Sequence, residues 1–252
     1  MRYAIEVAYD GTNYCGWQIQ PNGMTIQQRL QEAAAAAFGT VCTVTASGRT
    51  DSGVHASGQV CHLDLPCEIP GERLADALNA HLPEDIGVLR SARAYDGFDA
   101  NRSAKRKTYR YSLYFSPRRN PLLDRYATRV DAPCDEGALS RAAELFTGVH
   151  DFAAYCSSGS QVKTTVREIY GISLSRREGL LDIYVCGGGF LYNMVRTMVG
   201  TMLWHSLGKL SLEDISASLR EGRRSLVGKT MPAKGLTLVR VEYSPDPFEA
   251  DR

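Results

Sequence analysis

The order of the predicted strands and helices constrains the fold of this chain most strongly. Alternating apolar residues predict a strand from Arg2 to Tyr9, and a capping-box pattern at Thr25 and Gln28 opens a helix that ends at Gly39. Two strands, a helix and a further strand then follow at 41–47, 59–65, 70–81 and 86–95. The order strand, helix, strand, strand, helix, strand is typical of the split βαβ plan, an antiparallel sheet with both helices on one face.

The second half of the chain repeats this order of elements without repeating the sequence. It contains a strand, a helix, a hairpin, two helices and a closing strand, predicted at 106–115, 136–146, 166–175, 180–186, 190–206, 212–221 and 236–243. We therefore predict an α+β fold of two tandem ferredoxin-like (split βαβ) domains with antiparallel sheets and a central cleft for a ligand. The predicted domains span 1–103 and 104–245, with a tail at 246–252.

The composition is that of an ordinary globular chain, with 44% hydrophobic and 23% charged residues among 252. Seven cysteines without a CxxC pair and five scattered histidines predict no metal site and no disulfide framework. The most apolar stretch, Met194 to Leu203, is interrupted by Arg196 and predicts a core helix, not a membrane span. The chain begins directly with a strand, which favours a cytoplasmic location.

One loop between two predicted strands carries more chemistry than a turn requires. It reads Gly-Arg-Thr-Asp-Ser-Gly-Val-His-Ala at 48–56, with a guanidinium, a hydroxyl, a carboxylate and an imidazole within seven residues. Asp51-Ser52-Gly53 would by itself form an ordinary turn in which Asp51 caps the backbone. The alternative is that Asp51 is a functional carboxylate, and the loop alone does not decide between the two.

Basic residues are concentrated at 102–129, where nine lysines and arginines accompany one acidic residue, although the net charge of the chain is only +1. Aromatic residues are interleaved with them, at Tyr109, Tyr111, Tyr114 and Phe115. Strands of this kind are typical of RNA-binding sheets, in which rings stack on bases and cations hold phosphates. The alternative is a solvated strand face.

Two further side chains have both a functional and a structural interpretation. Arg196 lies in the most apolar predicted helix, where a buried guanidinium requires a carboxylate partner, unless it lies at the rim with its head group in water. Tyr109 lies in the middle of a predicted strand and fits either core packing or a position facing the cleft. Gly187–Gly189 lack a following Lys-Ser/Thr pair, which favours a tight turn over a phosphate-binding loop.

Taken together, the motifs of this chain resemble those of the tRNA pseudouridine synthases of the TruA type, nearly from end to end. The motifs are Tyr9-Asp10-Gly11-Thr12, Gly16-Trp17-Gln18, Thr25-Ile26-Gln27, the loop at 48–56, Phe98-Asp99-Ala100, Tyr109-Arg110-Tyr111, Gly189-Phe190-Leu191, Met194-Val195-Arg196 and Pro232-Ala233-Lys234-Gly235-Leu236. Ser52 replaces the more usual alanine. Asn101 replaces an expected arginine and is expected to weaken one phosphate contact.

The resemblance implies isomerisation of uridine to pseudouridine in the anticodon stem-loop of tRNA, at tRNA positions 38 to 40, without cofactor or metal. The target base is expected to flip out of its stack into a pocket. By resemblance, Asp51 is the nucleophile, Arg196 pairs with it and Tyr109 stacks on the flipped base. The sequence leaves open whether Asp51 attacks the sugar or the base.

The resemblance also implies a cytoplasmic homodimer that binds tRNA and no membrane. Arg49 is expected to fill the vacated stack or to hold backbone phosphate. The expected track for tRNA phosphates consists of Lys105, Arg106, Lys107, Arg110, Arg118 and Arg119. Two other classes of protein are alternatives: a non-catalytic RNA-binding module, which would not need Asp51, and a zinc deaminase, which the missing HxE and PCxxC patterns disfavour.

Overall fold

The structure is a computed structural model that describes residues 1–159 and 162–249. The chain divides into two compact units, the first comprising Met1–Lys107 with Thr237–Arg252 and the second Thr108–Leu236. The chain leaves the first unit within one strand and returns to it within the last strand. Both units combine α-helices with mostly antiparallel strand pairs, so the predicted α+β class is confirmed.

The sheet of the first unit is built around its first strand. Its strands are β1 (Arg2–Tyr9), β2 (Thr45–Ala46), β3 (His55–Asp64), β4 (Ile86–Arg93) and β10 (Leu236–Tyr243). β1 pairs antiparallel with both β3 and β4, and β2 pairs antiparallel with β3. β10 runs parallel to β3. The first and last strands have the predicted bounds.

Two helices cover one face of this sheet. In α1 (Ile26–Phe38), the Thr25 side chain accepts from the Gln28 N–H at 3.3 Å, and the helix ends at Gly39 with φ 66°. α2 (Arg73–Asn79) packs on β4 and contacts α1, so both helices lie on the same face. The core beneath them includes Tyr3, Ile5, Leu30, Ala34, Leu63, Leu74 and Leu78.

The strand predicted at 41–47 is wrong over most of its length, because only Thr45–Ala46 pair with β3. Glutamine side chains of α1 take the place of a strand partner just before it. Gln27 donates to the Val44 carbonyl at 2.9 Å, and Gln31 accepts from the Val44 N–H at 3.2 Å. The backbone polar groups of this segment are thus satisfied without a ladder.

The second unit contains a further set of strands in the order β5-β9-β8-β7, with β6 parallel to β5. They are β5 (Ala104–Phe115), β6 (Thr128–Val130), β7 (Gly148–Asp151), β8 (Val166–Arg177) and β9 (Leu180–Gly187). β8 pairs antiparallel with both β7 and β9. The β8–β9 pair is the predicted hairpin.

The helices of the second unit are α3 (Glu136–Glu144), α4 (Met194–Ser206) and α5 (Leu212–Glu221). α3 packs against α4, α5 and β8. The predicted start of α4 at residue 190 is wrong, because Asn193 adopts a left-handed conformation with φ 62° that an α-helix cannot contain. The helix therefore starts at Met194, which places Arg196 in its first turn.

Candidate functional site

The loop that carries Asp51 connects β2 to β3, and its side chains differ sharply in exposure. Arg49 is exposed, Thr50 is only 6% exposed and Asp51 is half-buried. A loop with a buried residue at its centre has fewer backbone conformations than a solvated turn. Thr50 is therefore the point at which this loop is attached to the rest of the unit.

The segment after β1 supplies the contacts that hold Thr50. The Tyr9 hydroxyl and the Thr50 hydroxyl share a hydrogen bond of 2.7 Å, and the Trp17 N–H donates to the Thr50 carbonyl at 3.0 Å. Gly16 has φ +83°, and a Cβ atom there would lie 2.7 Å from the Thr50 carbonyl oxygen. Glycine is thus required at position 16 by conformation and by space, and the contacts fix the backbone next to Asp51.

The far side of the loop is held by the same segment. His55 is 3% exposed, and its Nδ1 lies 3.1 Å from both the Gly11 nitrogen and the Asp10 Oδ1. The Val54 N–H donates to the Asp51 carbonyl at 3.1 Å, which closes a turn. The His55 imidazole therefore helps to hold the loop, so the backbone is fixed on both sides of Asp51.

A polar pocket of about 190 Å³ lies next to this loop within the first unit. Its lining residues are Trp17, Gln18, Gln27, Thr45, Ala46, Gly48, Arg49 and Asn101. Asn101 is the position at which an arginine was expected from the resemblance. A shorter amide at this position leaves the pocket with the single guanidinium of Arg49.

In the second unit, Arg196 is half-buried in the first turn of α4 and held by two partners. Its Nε donates to the Met231 carbonyl at 2.7 Å, and its Nη1 donates to the Asn193 Oδ1. A cation in the first turn opposes the helix dipole, which favours anions there. Helix stability therefore does not explain this arginine, and its contacts with Met231 and Asn193 hold the guanidinium in a fixed orientation.

Tyr109 and Tyr111 are both buried in β5 but have different surroundings. Tyr109 is 7% exposed and packs edge to face against Phe190, with ring centroids 5.0 Å apart at 82°. The Tyr111 hydroxyl bonds to Thr128 and to the Pro232 carbonyl, both at 2.7 Å, and burial raises its pKa. Tyr111 is thus a core residue, whereas Tyr109 has an aromatic neighbour that fixes its ring plane.

The predicted RNA-binding residues have different environments. Lys105, Arg106 and Arg118 are exposed, and Arg110 is half-buried. Arg119 donates to Asp124 at 2.7 Å, and Lys107 donates to the Ser47 carbonyl at 2.5 Å. Within the first unit, Arg49 and Asp51 thus lie on the loop, and Lys107 binds the backbone that enters it.

Several residues of these sites escaped sequence reasoning. Gln59 is fully buried in β3 and donates to the Gly48 carbonyl at 2.9 Å, next to the Asp51 loop. Asn193 orients Arg196, and Tyr9 holds Thr50. The available signals were a glutamine in a predicted strand and an asparagine near the start of a predicted apolar helix.

Two features are absent from residues 1–159 and 162–249: a metal-binding cluster of side chains and a membrane-spanning helix. No three or more histidine, cysteine, aspartate or glutamate side chains converge there in a way that could hold a metal ion. None of the helices in these ranges is both long enough and apolar enough to span a bilayer.

The sequence matches one protein family over most of its length. The model of the family described as tRNA pseudouridine synthase matches residues 5–101 and 142–244. The tRNA pseudouridine synthase A of Ruminiclostridium cellulolyticum is 42% identical over 240 residues, which are 95% of this chain and 98% of that protein. The relative of the same name from Syntrophotalea carbinolica is 44% identical over 239 residues, 95% of each chain.

A third relative gives the same result. The tRNA pseudouridine synthase A of Halalkalibacterium halodurans is 42% identical over 236 residues, 93% of this chain and 90% of that protein. A solved structure of a Cbf5-Nop10-Gar1 complex covers 94% of this chain and 58% of its own at TM-score 0.36 and 16% identity, too low to identify a fold. On the family match and these identities, the chain belongs to the tRNA pseudouridine synthase family.

Proposed function

We propose that this chain isomerises uridine to pseudouridine in the anticodon stem-loop of tRNA, with Asp51 as the nucleophile. The observation that carries the proposal is the support of Asp51. Its backbone is held through Thr50 on one side and through Val54 and His55 on the other, while its side chain stays half-buried. Positioning of this kind lowers the barrier for attack, because little orientational freedom remains to be lost.

The proposed reaction needs no co-reactant. The bond between N1 of the base and C1′ of the ribose breaks, and a bond between C5 and C1′ forms. The proton on C5 leaves and N1 gains one, so atoms and electrons balance. Asp51 attacks the flipped nucleotide, either at the sugar or at the base, and is released at the end.

Arg196 and Tyr109 have the chemistry that this reaction requires. A carboxylate attacks only in its ionised form, which a guanidinium nearby favours. Arg196 fits this role because Asn193 and Met231 hold it in one orientation. Tyr109 offers a ring whose plane is fixed by Phe190 and on which a flipped base can stack.

The proposal includes contacts with the rest of the tRNA. Arg49 is exposed on the Asp51 loop, where its guanidinium can enter the stack left by the flipped base. The phosphate track consists of Lys105, Arg106, Arg110, Arg118 and Arg119, all of which are exposed except the half-buried Arg110.

The proposal also includes the fold and the assembly of the protein. We propose that each chain forms two tandem ferredoxin-like domains and that two chains form a cytoplasmic homodimer. In the first unit, the strand order β4-β1-β3-β2, with α1 and α2 in the connections, supports a split βαβ domain. Sedimentation equilibrium of the full chain with and without tRNA tests the dimer. A monomeric mass in both samples would contradict it.

Position-resolved detection of pseudouridine tests the activity. An unmodified tRNA transcript is incubated with the full chain in the presence of a chelator, and pseudouridine is mapped by carbodiimide adducts that stop primer extension. New stops confined to the anticodon stem-loop are expected. Stops elsewhere would contradict the substrate site, and bound tRNA without any stop would favour the RNA-binding module.

A further inference from the structure

The two carbonyl groups just before the Asp51 loop are each held by a side chain. Lys107 Nζ donates to the Ser47 carbonyl at 2.5 Å, and Gln59 Nε2 donates to the Gly48 carbonyl at 2.9 Å. Ser47 Oγ donates to Gln59 Oε1 at 2.6 Å, which fixes the orientation of the glutamine amide. We call Lys107 and Gln59 the carbonyl clamp.

The clamp is closely packed, with Gln59 fully buried and Lys107 half-buried. Ser47 and Gln59 are both fully buried. A Cβ atom on Gly48 would lie 3.1 Å from Lys107 Nζ, so the amino group packs directly against the glycine backbone. Burial lowers the pKa of Lys107 to about 8, from 10.5. The amino group is directed at the Ser47 carbonyl and packs against Gly48, which is a poor position for a phosphate contact.

The clamp acts on the backbone that enters the Asp51 loop. Gly48 has no side chain of its own to hold the chain that enters Arg49-Thr50-Asp51. Thr50 is held by Tyr9 and Trp17, and the Ser47 N–H donates to the Val60 carbonyl at 2.8 Å, but none of these contacts reaches the Ser47 and Gly48 carbonyls. The clamp supplies this support two and three residues before Thr50.

We propose that Lys107 is a positioning residue for Asp51, which acts through the Ser47 carbonyl together with Gln59, and that it is not a contact to tRNA phosphate. The proposal rests on the proposed role of Asp51. A phosphate contact would require a charged lysine in water. A clamp requires only an N–H donor at a fixed point, which a neutral amine also provides.

Two lysines of the same strand provide a matched test in the full chain. Lys107→Met keeps the length of the side chain and removes the donor, whereas Lys105→Met removes an exposed charge. The single-turnover rate at saturating enzyme and the salt dependence of tRNA binding are measured for both. Lys107→Met should lower the rate about 10- to 100-fold and leave the slope of log K against log salt unchanged. Lys105→Met should reduce that slope by about one contact's worth.

Lys107→Arg separates charge from geometry. A phosphate contact accepts arginine, whereas the clamp has no space for a guanidinium against Gly48. We expect Lys107→Arg to be as slow as Lys107→Met with tRNA affinity retained. A normal rate in Lys107→Arg, or a reduced salt slope with a normal rate in Lys107→Met, would overturn the proposal.

Gln59→Leu provides an independent measurement if the lysine variants do not fold. It should lower the same rate without changing tRNA affinity, and the effects of Gln59→Leu and Lys107→Met should be less than additive, because both act on one stretch of backbone. An unchanged rate in Gln59→Leu would overturn the proposal. Asp51→Asn in the same assay keeps the two proposals apart, since turnover by that variant would remove the nucleophile assignment whatever Lys107 does.

Discussion

At the scale of the residue, the half-buried Asp51 is surrounded by contacts that other residues make with its backbone neighbours. Thr50, the residue just before Asp51, makes two such contacts. Its hydroxyl shares a hydrogen bond with the Tyr9 hydroxyl, and its carbonyl accepts one from the Trp17 N–H. Neither contact is made with the Asp51 carboxylate, the proposed nucleophile. Residues of this kind affect the reaction through position, so their loss should change the rate more than the affinity for tRNA.

Thr50→Val tests this support with little change of shape. It removes the hydrogen bond to Tyr9, which should reduce the free energy of unfolding by about 1 kcal/mol and slow the single-turnover rate at unchanged tRNA affinity. Urea denaturation and single-turnover kinetics measure the two effects. Tyr9→Phe removes the same bond from the other side and should behave alike. A normal rate in both variants would contradict the account.

The lowered pKa of Lys107 predicts how the stability of the chain depends on pH. Its pKa is about 8 in the folded chain against 10.5 ordinarily, so between these pH values the unfolded chain binds more protons. The contribution of this group to stability is therefore fully present above pH 10.5 and is lost as pH falls through 8. Denaturant unfolding should show wild type gaining stability relative to Lys107→Met between pH 8 and 10.5. Parallel pH profiles would contradict the lowered pKa.

At the scale of the element, the start of α4 connects backbone geometry to the orientation of Arg196. Asn193 has φ 62° and accepts a hydrogen bond from Arg196, so one residue both ends the preceding loop and aims the guanidinium. Asparagine suits both tasks, because its side chain is short and polar and tolerates the left-handed region.

Two substitutions at Asn193 separate these tasks. Asn193→Ala should lower the free energy of unfolding by about 1 to 2 kcal/mol, because alanine is strained in the left-handed region, and should slow the chemical step. Asn193→Gly relieves the strain and still lacks the amide, so it should regain stability without regaining the rate. Thermal melts and single-turnover kinetics give the two readouts. A normal rate in Asn193→Gly would show that the amide does not position Arg196.

At the scale of the whole molecule, the net charge is only +1, but basic residues are concentrated at 102–129. We propose that the exposed ones among them bind tRNA phosphates. Arg118 and Arg119 are both exposed, but Arg119 is paired with Asp124. Asp124 also binds Lys234 at 2.7 Å, so Arg119 belongs to a local ion-pair network.

Arg118→Ala should therefore weaken tRNA binding without loss of stability and lower the slope of log K against log salt by about one contact's worth, 0.7 to 0.9. Arg119→Ala should also lower the stability of the chain, since it removes a partner of Asp124. Titrations between about 50 and 200 mM salt and thermal melts measure these effects. Equal slopes for wild type and Arg118→Ala would contradict a phosphate contact at that residue.

Local signals in the sequence predicted the local structure well. The Thr25 cap, the end of α1 at Gly39 and the β8–β9 hairpin each depend on a few adjacent residues. The bounds of β1 and β10 follow from alternation alone. β6 and β7 are too short, at three and four residues, for any periodicity to show.

Contacts between distant residues could not be predicted in this way. Lys107 and Ser47 are separated by 60 positions, and a lysine in a basic cluster suggests phosphate binding until its amino group is found against a carbonyl. The strand predicted at 41–47 does not form over most of its length, because glutamine side chains of α1 bind the backbone of Val44. The site residues Asp51, Arg196 and Tyr109 came from the family resemblance, and their roles remain predictions.

Tritium release from tRNA that carries 5-tritiated uridine tests the central claim most directly, with wild type and Asp51→Asn compared under single-turnover conditions. Asparagine has nearly the same shape as aspartate and cannot act as the nucleophile, so any difference reports on the carboxylate. We predict release by wild type, no detectable release by Asp51→Asn and equal tRNA affinity for the two. Release by Asp51→Asn at a rate near that of wild type would contradict the assignment of Asp51 as the nucleophile.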